Sequence, residues 1–158
     1  EYGNGILHKT VLTLTATPIT LTDDAGVGQS GGVKLYDMPA GDIVVLGAVS
    51  DAVLTLVGTE WLDTAEGDFA FGSAVVAGGG SMTGTEVDIM AQTSWGPATA
   101  QVSDMNGGAI ATAYLAKAGT TDLDVYLNVR VDDNAAHITS SGTITGTVTL
   151  TWINQGDF

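Results

Sequence analysis

Cysteine is absent from the chain, which excludes disulfide staples and every thiolate metal site and leaves stability to packing and to association between chains. Basic residues are almost as scarce. Lys9, Lys34, Lys117 and Arg130 stand singly against 18 acidic residues, giving a formal net charge of −14. A phosphate backbone is held by clustered lysine and arginine that displace its counterions, so nucleic acid is an unsuitable partner. A negatively charged membrane surface is unsuitable for the same reason. No apolar run approaches the roughly 18 residues of a spanning helix, and the opening EYGNGILHK has neither the basic region nor the apolar core expected of a signal sequence. Strong helix formers are also thin, with four glutamates and three lysines among 158 residues. Long amphipathic helices are therefore not expected.

What the chain does have is glycine, threonine and β-branched residues in period-two patterns. Such composition over this length predicts one all-β domain spanning 1–158, with 1–6 as a candidate extended N-terminal arm. In KTVLTLTAT (9–17), Leu12, Leu14 and Ala16 share one face and the threonines the other. Residues 23–32, DDAGVGQSGG, read as turn material, and PAGD (39–42) as a turn in which Gly41 supplies a positive φ. IVVLGAV (43–49) and AVLTLV (52–57) are apolar on both faces, so a second sheet, a loop layer or a partner subunit must cover the outer side. A strand is expected in FAFGSAVV (69–76). TEVDIMA (85–91) then alternates Val87, Ile89 and Ala91 with polar neighbours, as a hairpin partner would. Glycines and Pro97 leave room only for a short strand near 98–102, and 109–117 reads as a further strand. LDVYLNVRV (123–131) points Leu123, Val125, Leu127, Val129 and Val131 inward. From 143 to 152 every second residue is threonine and the others face inward, ending at Trp152. Eight to ten such strands predict an antiparallel jelly-roll-like β-sandwich, with another Greek-key sandwich as the alternative.

Three groups of residues have the types of a chemical site. Asp132, Asp133, Asn134 and His137 include cation-ligand types, but Ala136 occupies the next ligand position, no glycine makes the sharp turn and no glutamate closes the set. They read as a turn with local side-chain to backbone bonds. Glu60, Asp63, Glu66 and Asp68 supply carboxylates for glycoside hydrolysis only if a pair is correctly separated, and otherwise form a solvated surface. GQSGG (28–32) has the letters of G-x-S-x-G, but no strand-turn-helix context makes it a nucleophile elbow for the serines and histidines. The glycine runs lack the lysine and helix of a phosphate loop. Trp61 and Trp95 fall in loop-like stretches, where they serve an interface, simple packing or a sugar-stacking platform. No catalytic residue, metal site or cofactor is therefore expected, and the chain is expected not to be an enzyme.

Three stretches taken together, YDMPAGDIVVLGAV, GDFAFGSAVV and VRVDDNAAHITSSGTITGTVTLTWINQGD, resemble the small head decoration, or cement, proteins of tailed bacteriophages. The resemblance covers somewhat under half the chain, and no functional residue is carried over from it. It implies a jelly roll or related sandwich and a virion structural protein without enzyme activity. Such a protein lies on the outer surface of the capsid and binds the major capsid protein. It also implies self-assembly, with a trimer favoured over a dimer. A carbohydrate-binding module or fibre-tip adhesin is the competing expectation.

Overall fold

A computed structural model describes residues 6–24, 28–57, 66–78, 81–95, 102–110, 123–132 and 139–155. Eight strands account for most of them: β1 (Ile6–Asp24), β2 (Gly28–Asp37), β3 (Ile43–Val57), β4 (Gly67–Gly72), β5 (Met90–Trp95), β6 (Val102–Ile110), β7 (Asp124–Val131) and β8 (Ser140–Asn154). The only helical element among the described residues is a 3-10 turn at Gly84–Glu86. The strands form one antiparallel sheet in the order β5-β4-β7-β2-β1-β8-β3-β6. Its edge strands approach each other, with Gly107 of β6 against Thr93 of β5, so the sheet is nearly closed into a barrel-like shape.

The long β1 joins two halves. It pairs with β8 from Ile6 to Leu21 and with β2 from Thr22 to Asp24. β1, β8, β3 and β6 therefore make one half, and β2, β7, β4 and β5 the other. Inward side chains from both form a single core that includes Leu21, Leu54, Phe69, Phe71, Leu127 and Ile144. Burying each of these large apolar side chains stabilises the fold by roughly 1.5–3 kcal/mol before entropy is counted.

Bulges set which residues enter that core, because one extra residue in a strand reverses the faces of everything beyond it. In β1 the register slips between Leu14 and Thr17 opposite β8. Ala16 takes φ 49°, and its N–H is held by Thr145 Oγ1 at 3.1 Å. Leu14 and Ile19 consequently both face inward although five residues apart. Ala16, expected on the inner face with Leu12 and Leu14, is exposed.

A second slip, between Val45 and Gly47, lets Ile43, Val45, Ala48, Ala52, Leu54 and Leu56 all face inward. The two apolar runs at 43–49 and 52–57 are thus one strand whose inward set changes parity. The Leu46 side chain is half-buried beside that slip.

Other expectations need correction. Residues 28–32 belong to β2 rather than to a turn. The described backbone at 85–89 is not a strand. Met90–Trp95 forms β5 instead. β6 runs through Gly107 and Gly108, which the sequence suggested as interruptions. The expected strand beyond Ile110 lies outside the described residues, and of the candidate arm at 1–6 the structure describes only Ile6, which begins β1. By contrast, the 39–42 turn has Gly41 at φ 122°, and the inward positions of β7 and β8 fall as their alternation predicts.

Candidate interaction surface

The two halves differ on their outer faces. On the β2, β7 and β4 half, Gly32, Asn128 and Ala70 sit side by side across three strands. Small residues flank the asparagine, and the chain after β4 lies over them. Asn128 is fully buried there: its Oδ1 accepts from Val76 N at 2.9 Å, and its Nδ2 donates to Ala74 O and Glu86 O at 2.9 Å each. Ser30 Oγ donates to Ala77 O at 2.9 Å. Asp88 closes the segment by accepting from Ser73 N at 2.8 Å and Ser73 Oγ at 2.7 Å. Val76 and Met82 pack with Ala70 underneath. This half supplies its own loop layer. Asn128 was legible as outward-facing, but its burial was not, because the covering segment itself reads as parts of two strands, 69–76 and 85–91.

The β1, β8 and β3 half has no comparable layer among the described residues. Its outward positions run in lateral rows, Leu7–Ile153–Val44 and Val11–Thr149–Val49, with Thr13–Thr147–Asp51 beyond them. Leu7, Val11, Val49 and Val57 are exposed by 64%, 56%, 56% and 54%. Thr143, Thr145, Thr147, Thr149 and Thr151 line the central strand between them. Across the three paired strands up to Thr22 of β1, the only formally charged side chains are Lys9 and Asp51. A net charge of −14 therefore resides almost wholly elsewhere.

The described strand ends that flank the sequence candidates lie at one end of the sheet. β1, β3, β5 and β7 all finish there, so the 24–28, 57–67, 95–102 and 131–140 connections leave from the same rim. Asp132 lies on it, half-exposed, with Oδ1 3.3 Å from Arg130 Nε, while its N–H donates to Glu66 O. Desolvation, reinforced by Asp68 and Glu66, raises the Asp132 pKa against the lowering influence of Arg130. Asp133, Asn134 and His137 lie outside the described residues, as do Glu60, Trp61 and Asp63. Asp68 instead accepts from Ser94 Oγ at 2.7 Å. Among the described residues, no three His, Asp or Glu side chains gather as a cation site.

Trp95 corrects the loop reading. It ends β5, is 2% exposed and packs against Gly67. A sugar platform built on Trp61 and Trp95 thereby loses one of its two rings. Trp152 is core as expected, stacked on His8 with ring centroids 4.0 Å apart and donating from Nε1 to Thr10 Oγ1 at 3.0 Å. No helix among the described residues is long and apolar enough to cross a membrane. Comparison of the chain with protein-family models, with curated proteins and with solved structures finds no match in any of the three.

Proposed function

We propose that this chain is a non-enzymatic virion structural protein: a head decoration protein that binds the outer surface of a tailed-phage capsid and cements it by bridging capsomers. The observation that carries the reading is strand order. Two four-stranded halves ordered 1-8-3-6 and 2-7-4-5, joined through the first strand, support a jelly-roll sandwich. That architecture recurs in viral capsid and lectin domains. The step from architecture to role is analogy of fold, joined here to the sequence resemblance. The partners in this reading are the major capsid protein and other copies of the chain, a trimer ahead of a dimer. Nucleic acid, membrane and cofactor have no part in it.

The mechanism is mechanical. Packaged genome presses outward on the shell, and a protein that spans a capsomer boundary must detach before the capsomers can part. Each contact can be modest, since buried area does not convert directly into affinity. An oligomer that touches several capsid subunits gains through effective concentration what one protomer lacks. The acidic exterior suits attachment to basic groups on the shell.

The test is reconstitution. Particles stripped of the protein should rebind it and then survive heating or osmotic shock better than bare ones. Normal rebinding without added particle stability would replace cementing with display or host adhesion, and failure to rebind under any ionic condition would remove the capsid as partner.

A further inference from the structure

We infer that a second copy of this chain covers the outer face of β1, β8 and β3. The inference rests on the self-association contained in the proposed function and adds the surface that performs it. Three observations carry it. One half of the sheet has its outer face roofed by residues 73–78 and 81–89, whereas the other leaves Leu7, Val11, Val49 and Val57 more than half exposed. Charge also vanishes on the β1, β8 and β3 face, with the exposed Asp104 beyond it on β6. Two acidic molecules repel through most of their surfaces, but here one lysine and one aspartate cancel over three long strands. A basic shell gains nothing electrostatic from such a face, while another copy of an acidic chain finds in it a contact free of net repulsion.

The area is sufficient. β3 and β8 have 15 residues each. At about 3.4 Å per residue and about 4.8 Å between strands, three such strands present a face of roughly 50 by 14 Å, on the order of 700 Å². Stable interfaces bury about 600–1,000 Å² per partner. Threonines between the valines suit this packing, since β-branched side chains keep a sheet face stiff and their methyl groups contribute apolar area.

The experiment compares the wild-type chain with a Val11→Asp, Val49→Asp double variant and with a Val75→Asp control. All three sites are exposed, and Val75 lies on the roofed half. Mass is measured in solution across a concentration series, with near-ultraviolet circular dichroism reporting native packing. The wild type and the control should associate, and the folded double variant should fall to single-chain mass. A wild-type chain that is monomeric at its highest soluble concentration, or a folded double variant that associates as the wild type does, overturns the inference. If the double variant unfolds, Val49→Thr, which keeps the β-branch, takes its place and should weaken association; unchanged association would overturn the inference. Stripped particles separate this from the functional reading. An associating chain that never rebinds leaves the face assigned and removes the capsid role. A monomeric wild type that rebinds while the double variant does not gives the face to the shell.

Discussion

Asn128 satisfies one backbone N–H donor and two backbone carbonyl acceptors with a single side chain at the centre of a roofed sheet face. Its replacement by alanine would strand Val76 N–H and the Ala74 and Glu86 carbonyls away from water. Unmade buried hydrogen bonds cost about 1–3 kcal/mol each, with partial relief from rearrangement. Asn128→Ala should therefore destabilise the protein by roughly 2–4 kcal/mol in denaturant titration. A loss near zero would mean that the covering segment is not anchored there.

A second residue-scale prediction concerns Asp124. Lys34 Nζ lies 2.6 Å from its Oδ1, and the Tyr126 hydroxyl donates to its Oδ2 at 3.0 Å. The Lys34 hydrogen bond holds Asp124 below the usual carboxylate range and raises Lys34 in return, while Tyr126 is raised by its bond to Asp124. A depressed carboxylate stabilises the fold above its unfolded pKa, about 3.9, and that contribution fades as pH falls through the lower folded value. A raised lysine contributes below about 10.4 and loses its effect as pH rises through the folded value. Asp124→Asn should thus lower the melting temperature at neutral pH, and the gap from wild type should close in acid. A gap undiminished in acid would place its origin outside the ion pair.

At the scale of elements, one clasp joins the two ends of the roofing segment. Asp88→Ala removes both bonds to Ser73 and should loosen the segment by about 1–2 kcal/mol without melting the barrel. Amide exchange of Ala74 and Val76 should quicken while β7 amides stay protected. Equal acceleration in both would mean that the segment and barrel open together. The segment is also where sequence reading stops working. Alternation over Val87, Ile89 and Ala91 has the period of a strand, yet Val87 donates back to Gly84 O, Ile89 makes a single bond to Phe71 O at 3.0 Å, and the strand begins only at Met90. Alternation was legible in β7 and β8 because one face meets core and the other does not. It was misleading where a bulge reverses parity, as at Ala16, or where strands are glycine-rich. Position 31 in β2 requires glycine because a Cβ there would collide with Thr20 O of the neighbouring strand. Composition registers such a glycine as a turn residue, while the close approach that demands it is long-range. The burial of Trp95 was missed likewise, since its partner Gly67 is 28 positions away.

For the whole molecule, no described cluster has the ligand count of a structural cation site, so EDTA should leave the melting temperature unchanged. A large fall would locate a cation beyond the described residues. Attachment to capsids should weaken with salt without being abolished, because charged steering is screened while apolar contacts are not. Salt-independent binding would leave the acidic exterior without a role in attachment. The pairing of β1 with β8 has a temporal consequence. The first and last strands share 14 paired positions, from Ile6 opposite Asn154 to Leu21 opposite Ser140. That seam cannot zip until β8 has left the ribosome, and in refolding it must close a loop that encloses every other described strand. Non-local pairing of this kind slows folding to milliseconds or seconds and leaves strand edges open meanwhile. The nascent chain therefore passes through a stage in which β2 and β3 are made but their partners β7 and β8 are not, and its yield should rise when synthesis is slowed or cooled.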